Sequence, residues 1–192
     1  MKKTTKNDRI VIFSICAVAL ITIAIFVTII VLHAKNSTQT LCANIRTQAQ
    51  SGDGIRIVLQ QKEGDENYSQ PIFQKAFSQT CANSDLSPLV FSKSKGVSEY
   101  SYLLTLTNSE TSVQNYSIKL VQKGTNKDCC LPKQIEVEMS SGGEFEKTHE
   151  LSGTLDKNSS NLVEIRFRAN LETIAASPNC EIEILVETKK SE

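Results

Sequence analysis

Two hydrophobic patterns divide this chain. From Ile10 to Leu32 apolar residues run almost unbroken, IVIFSICAVALITIAIFVTIIVL, whereas from Ile55 onward apolar and polar residues alternate. The first stretch has no charge, no Pro and no Gly across 23 residues. A helix of that length covers roughly 34 Å at about 1.5 Å per residue, against a bilayer hydrocarbon core of about 30 Å. Residues 10–32 therefore predict a single transmembrane helix, with the membrane as its partner.

The second pattern predicts strands. Ile55, Ile57 and Leu59 share one face, with Arg56, Val58 and Gln60 on the other. The same alternation places Tyr100, Tyr102, Leu104 and Leu106 together, then Tyr116, Ile118 and Leu120, then Ile135, Val137 and Met139. It recurs in Val163, Ile165, Phe167 and Ala169, and last in Ile182, Ile184 and Val186. Strands with one buried and one solvated face, separated by polar turns, are the habit of antiparallel sheets packed in pairs. The expected fold is all-β, an immunoglobulin-like antiparallel β-sandwich over residues 55–188. Pro88 to Ser92 is a short apolar run, and Pro71 to Thr80 fits neither period.

Residues 33–54 look different. Leu41, Ile45 and Ala49 are four apart, which suits a short helix, and Ser51-Gly52-Asp53-Gly54 closes it. This segment reads as a stalk outside the core, and residues 189–192 as a short tail.

Charge orients the anchor. Lys2, Lys3, Lys6 and Arg9 precede it against a single acid, Asp8, while only His33 and Lys35 follow closely. The positive-inside rule leaves residues 1–9 in the cytoplasm and everything after residue 32 outside it. Cleavable signal peptides have apolar regions of about 7–15 residues and a small-x-small cleavage site. Leu32-His33-Ala34 does not supply that site, so the expectation is a retained signal-anchor. The chain as a whole balances 21 bases and 21 acids; without residues 1–9 it holds seventeen bases and twenty acids. A net charge of −3 gives no basic face for nucleic acid.

Five of the six cysteines fall after the anchor: Cys42, Cys81, Cys129, Cys130 and Cys180. Outside the cytoplasm they read as disulfide candidates. Cys42 with Cys81, and Cys129 or Cys130 with Cys180, is one pairing, and a vicinal Cys129–Cys130 bond is another. Five is odd, so one is left free, lipidated or paired between chains. Two adjacent cysteines without a nearby histidine do not make a zinc signature. Sequons stand at Asn36, Asn67, Asn115 and Asn158, which are glycan sites if the source is eukaryotic or viral.

Catalytic groups do not emerge. His149 is the candidate base, in KTHELSG, and no nucleophile elbow accompanies it. Glu136 with Glu138, and Glu181 with Glu183, share solvated strand faces, whereas an acid–base pair needs two different environments. No phosphate-cradling or dinucleotide glycine motif occurs, so no cofactor and no small-molecule substrate is expected.

Tyr102-Leu-Leu-Thr-Leu-Thr-Asn-Ser is similar to the strand and Thr-Asn turn of immunoglobulin-like exported bacterial domains. Leu151 to Phe167 resembles the polar loop before their penultimate strand, and Cys180 with EIEILVE their closing strand. The chain thus resembles the TasA-type, alternate-signal exported proteins of Gram-positive bacteria. That resemblance implies a surface or matrix-fibre component processed by a dedicated peptidase. The functional expectation is a membrane-tethered, non-catalytic interaction or scaffolding module for a protein partner or self-assembly. A cleaved fibre subunit and a type II membrane glycoprotein of viral or eukaryotic origin are the alternatives.

Overall fold

The computed structural model describes residues 18–31, 38–49, 54–76, 82–123, 135–172 and 180–191. The chain divides into two units, Met1–Ser37 and Thr38–Glu192.

In the first unit, residues 18–31 form an α-helix whose side chains are exposed on every face. Its two threonines return their hydroxyls to the helix backbone: Thr22 Oγ1 donates to Ala19 O at 2.8 Å, and Thr28 Oγ1 to Ala24 O at 2.8 Å. Among the described residues no helix is long and apolar enough to cross a membrane. The expected span 10–32 therefore does not stand as a described element; 10–17 and Leu32 lie outside the described residues.

The second unit is a sandwich of two β-sheets. In one, here sheet A, the strand order is β4 (Ala82–Asp85), β1 (Thr38–Ala49), β11 (Cys180–Lys190), β7 (Gln114–Lys123) and β9 (Glu150–Leu155). A short β5 (Leu89–Ser92) shares the β4 side of β1, pairing with Thr38 to Leu41 while β4 pairs with Asn44 to Thr47. In sheet B the order is β3 (Phe73–Ala76), β2 (Ile55–Glu63), β6 (Glu99–Asn108), β10 (Ser159–Ala169) and β8 (Ile135–Ser140).

Period-two alternation explains the layers. The residues expected on the apolar faces of β2, β6, β7, β8, β10 and β11 are the ones buried between the sheets. Tyr102 and Phe167 meet edge-to-face in this core with centroids 5.7 Å apart, and Phe91 meets Tyr100 in the same way at 5.2 Å. Such T-shaped pairs add to the transfer energy of burial because ring edges and faces carry opposite partial charge.

Two expectations need correction. Residues 38–49 are neither a helix nor a stalk: they form β1, paired in parallel with β11, and Leu41, Ala43 and Ile45 are core residues. Four-residue spacing fits a helix, but it also equals two strand periods. The sandwich thus starts at Thr38. The strand order also departs from the immunoglobulin arrangement, whose last two strands share a sheet. Here β10 lies in sheet B and β11 in sheet A, and each strand from β6 to β11 lies in the opposite sheet to the one before it.

One buried residue serves two of these crossings. Asn108, at the end of β6, donates from Nδ2 to Ser112 O at 2.9 Å, Asp156 O at 3.1 Å and Leu155 O at 3.2 Å. Its Oδ1 accepts from Glu110 N at 2.9 Å. Backbone groups that leave one sheet before entering the next have no ladder partner, and this side chain supplies one.

Candidate functional site

Cys42 lies half-buried on β1 and is bonded to no other cysteine among the described residues. The backbone of Cys180 opens β11, in register with Leu41. Cys81, Cys129 and Cys130 lie outside the described residues, as does Asn36. Asn67 is exposed in the segment after β2, and Asn158 is exposed at the turn between β9 and β10, where its φ is +53°. Asn115 sits within β7 and is half-buried. His149 is an exposed residue preceding β9, and its carbonyl accepts from Leu120 N at 2.8 Å. Among the described residues, no group of three or more His, Cys, Asp and Glu is arranged to hold a metal.

A charged row on the outer face of sheet B went unnoticed in the sequence. Register aligns Lys62, Ser101, Arg166 and Glu138 across β2, β6, β10 and β8. Arg166 reaches Glu99 at 3.4 Å, Glu138 at 3.7 Å and Glu164 at 3.8 Å, while Arg168 binds Glu99 at 2.7 Å and Glu138 at 3.0 Å. Lys62 joins Glu164 at 3.7 Å. Two aromatic rings cover the row. Phe145 lies 3.6 Å from the Arg166 guanidinium carbon, and Tyr68 lies 5.0 Å from the Lys62 ammonium. The Tyr68 hydroxyl lies against Glu164 and Ser101 without a well-aligned bond to either, and burial, then Glu164, pushes its pKa upward. Three carboxylates and three cations meet in this row, and the two rings hold their loops against the sheet. Its outward positions were legible one strand at a time, but the register that joins them was not.

β8 and β9 are the neighbouring edges of the two sheets. A cavity of about 400 Å³ opens along their seam, with Met139, Ser140, Glu144, Glu146, Glu150 and Ser152 in its lining. A second, of about 500 Å³, lies over β7, β9 and β11, lined by Asn115, Ser117, Ser152, Thr154, Glu187 and Lys189 among others. Between them Tyr116 lies beneath Gly153. Its hydroxyl lies 3.1 Å from Ser141 Oγ and accepts from Asn161 Nδ2 at 2.9 Å. That bond ties β7 of sheet A to β10 of sheet B.

Comparison with known proteins gives the chain no family. No family model matches it, and no curated protein does. Among solved structures it is similar to the yeast delta-COP-I mu-homology domain, at 7% identity and a TM-score of 0.24, over 82% of this chain and 97% of that one. The same domain complexed with a Dsl1 WxWxV peptide matches with a TM-score of 0.22 and 7% identity, over 82% of this chain and 97% of that one. The major pilin of Streptococcus pyogenes matches at 8% identity and a TM-score of 0.22, over 80% of this chain and 48% of the pilin. Likenesses this slight carry no functional meaning. None of these matches is to a TasA-type protein.

Proposed function

We propose that this chain is a membrane-tethered extracytoplasmic interaction module, a non-catalytic β-sandwich held at a bilayer by its N-terminal apolar segment. The observation that carries this reading is the helix at 18–31. Val18, Leu20, Ile21, Ile23, Ile25, Phe26, Val27, Ile29, Ile30 and Val31 are all exposed on it. Water penalises such a surface at about 25 cal/mol per Å², whereas lipid does not. Both helix threonines satisfy their hydroxyls internally, which is what a hydrocarbon surrounding requires. In sequence the apolar run continues back to Ile10 and on to Leu32, and the bases before it favour an extracytoplasmic sandwich.

Sandwiches recognise partners through loops and sheet edges. The test is reconstitution of the full chain into liposomes followed by flotation and protease protection. The expected result is co-flotation resistant to alkaline carbonate, with cleavage of the sandwich from one side only. Recovery in the soluble fraction would remove the tether reading. Intact mass of the mature chain distinguishes a retained anchor from a released fibre subunit. An endoglycosidase shift on gels decides the glycoprotein alternative, for which Asn67 and Asn158 are the exposed sequons among the described residues.

A further inference from the structure

The edges of the two sheets are not equally protected. An uncovered edge strand offers a row of unpaired N–H and C=O groups to any extended chain. On β8, Met139 exchanges both backbone bonds with Glu146, at 2.8 and 2.9 Å, so the following loop covers that position of the edge. Strands β3, β4 and β5 are four residues each. At the edge of sheet A, β9 has six residues and among the described residues pairs with β7 alone.

Hydrogen bonding shows which groups of β9 face outward. Leu120 N donates to His149 O at 2.8 Å, so His149 turns its backbone toward β7. Glu150 therefore turns away, and Thr148 Oγ1 takes both its groups, accepting from Glu150 N at 3.1 Å and donating to Glu150 O at 2.8 Å. By antiparallel alternation Ser152 and Thr154 also direct N–H and C=O outward. No such plug covers them among the described residues.

Both cavities described above meet at this stretch and share Ser152. An added strand would send alternate side chains toward each of them, which is how strand addition acquires specificity. The seam is acidic. Glu150 is paired with Lys119 at 3.0 Å, while Glu144 and Glu146 have no cationic partner among the described residues. The other cavity is lined by small polar side chains together with Tyr116, Glu187 and Lys189.

We infer that the β9 edge at Ser152–Thr154 is a docking strand for an extended segment of a partner protein bearing lysine or arginine at alternate positions. This deepens the interaction-module reading and rests on it. The two carboxylates of the seam receive the basic side chains, and the four outward backbone groups of Ser152 and Thr154 pair with the partner backbone. A second copy of this chain fits the edge less well, because its own Glu144, Glu146 and Glu150 would bring like charge to the same seam.

The test is fluorescence anisotropy on the full chain in lipid nanodiscs. The probe is a fluorescein-labelled octapeptide of alternating lysine and threonine, with a glutamate-for-lysine analogue as control. Saturable binding of the lysine peptide, at least tenfold tighter than its analogue, is expected. Ser152→Pro removes one outward N–H without touching the β7 ladder and should weaken binding at least tenfold. Glu144→Lys combined with Glu146→Lys should do the same. Where Ser152→Pro fails to fold, N-methylation of alternate peptide residues makes the same deletion from the ligand side. Equal binding of both peptides, or binding indifferent to Ser152→Pro and to N-methylation, overturns the inference. So does a dimer in light scattering that Ser152→Pro abolishes, which would assign the edge to a second copy. Insertion into the nanodisc is scored independently, so loss of peptide binding leaves the tether reading standing.

Discussion

Asn108 Nδ2 donates to the carbonyl oxygen of Leu155 at 3.2 Å across the interior of the sandwich, joining the end of β6 to the end of β9. The two residues stand 47 apart in sequence. Because the same amide also serves Ser112 and Asp156, one side chain holds the β6–β7 and β9–β10 crossings together.

Asn108→Ala should therefore destabilise the sandwich by about 2–4 kcal/mol, since it strands several buried backbone groups whose desolvation costs about 1–3 kcal/mol each. Asn108→Asp should be worse than Asn108→Ala, because a carboxylate would face three carbonyl oxygens. Urea unfolding followed by far-UV circular dichroism measures both, and an alanine variant within 0.5 kcal/mol of the native chain (about the scatter of neutral surface changes) would contradict this role.

Gly153 is required by contact, not by backbone conformation. A Cβ there would lie 2.6 Å from Tyr116 Oη and 2.7 Å from Cζ. The ring cannot easily retreat, since Ser141 and Asn161 hold its hydroxyl. Gly153→Ala should cost about 1–3 kcal/mol, the range of overpacking. In a double-mutant cycle with Tyr116→Ala the penalty should largely disappear; full additivity would show that the clash relaxes elsewhere.

Alkali should unfold the protein through its tyrosines. Burial, then the hydrogen bond to Glu63, pushes Tyr100 up to about 12, and burial raises Tyr68 and Tyr102 as well. The folded state thus holds phenolic protons that the unfolded chain releases near pH 10. Stability from Tyr100 is complete below about pH 10 and is lost as pH climbs toward about 12, with the slope given by the difference in bound protons. Unfolding midpoints measured at intervals from pH 8 to 12 should fall in that window, and Tyr100→Phe should reduce the slope.

Arg166 works through its planar fork. It reaches three carboxylates while Phe145 stacks on its face. A lysine keeps the charge but neither the fork nor the stacking, so Arg166→Lys should cost about 1 kcal/mol, an amount already discounted for the partial exposure of the row. Phe145→Ala should cost a similar amount and be non-additive with it. Thermal denaturation of the four chains in the cycle supplies the coupling.

The inner faces of six strands were legible because period two writes burial directly into local sequence: Ile57, Tyr102, Ile118, Val137, Ile165 and Ile184 are buried as alternation requires. β1 was not, because its inward positions are Leu41, Ala43, Ile45 and Thr47. Small and hydroxyl-bearing residues weaken the contrast between faces, and four-residue spacing fits both periods. β9 was hidden for a related reason, since Ser152, Gly153 and Thr154 have the composition of a turn.

By itself, then, the sequence determined which side of each clear strand is buried and where the apolar N-terminal run lies, because both are properties of neighbouring residues. Only the tertiary structure decided that β1 runs parallel to β11, that Lys62, Ser101, Arg166 and Glu138 form one row, and that β9 stands at the edge of sheet A. Those relationships join residues dozens of positions apart. Register and edge exposure depend on which strands become neighbours, and that is settled by packing the whole sandwich at once.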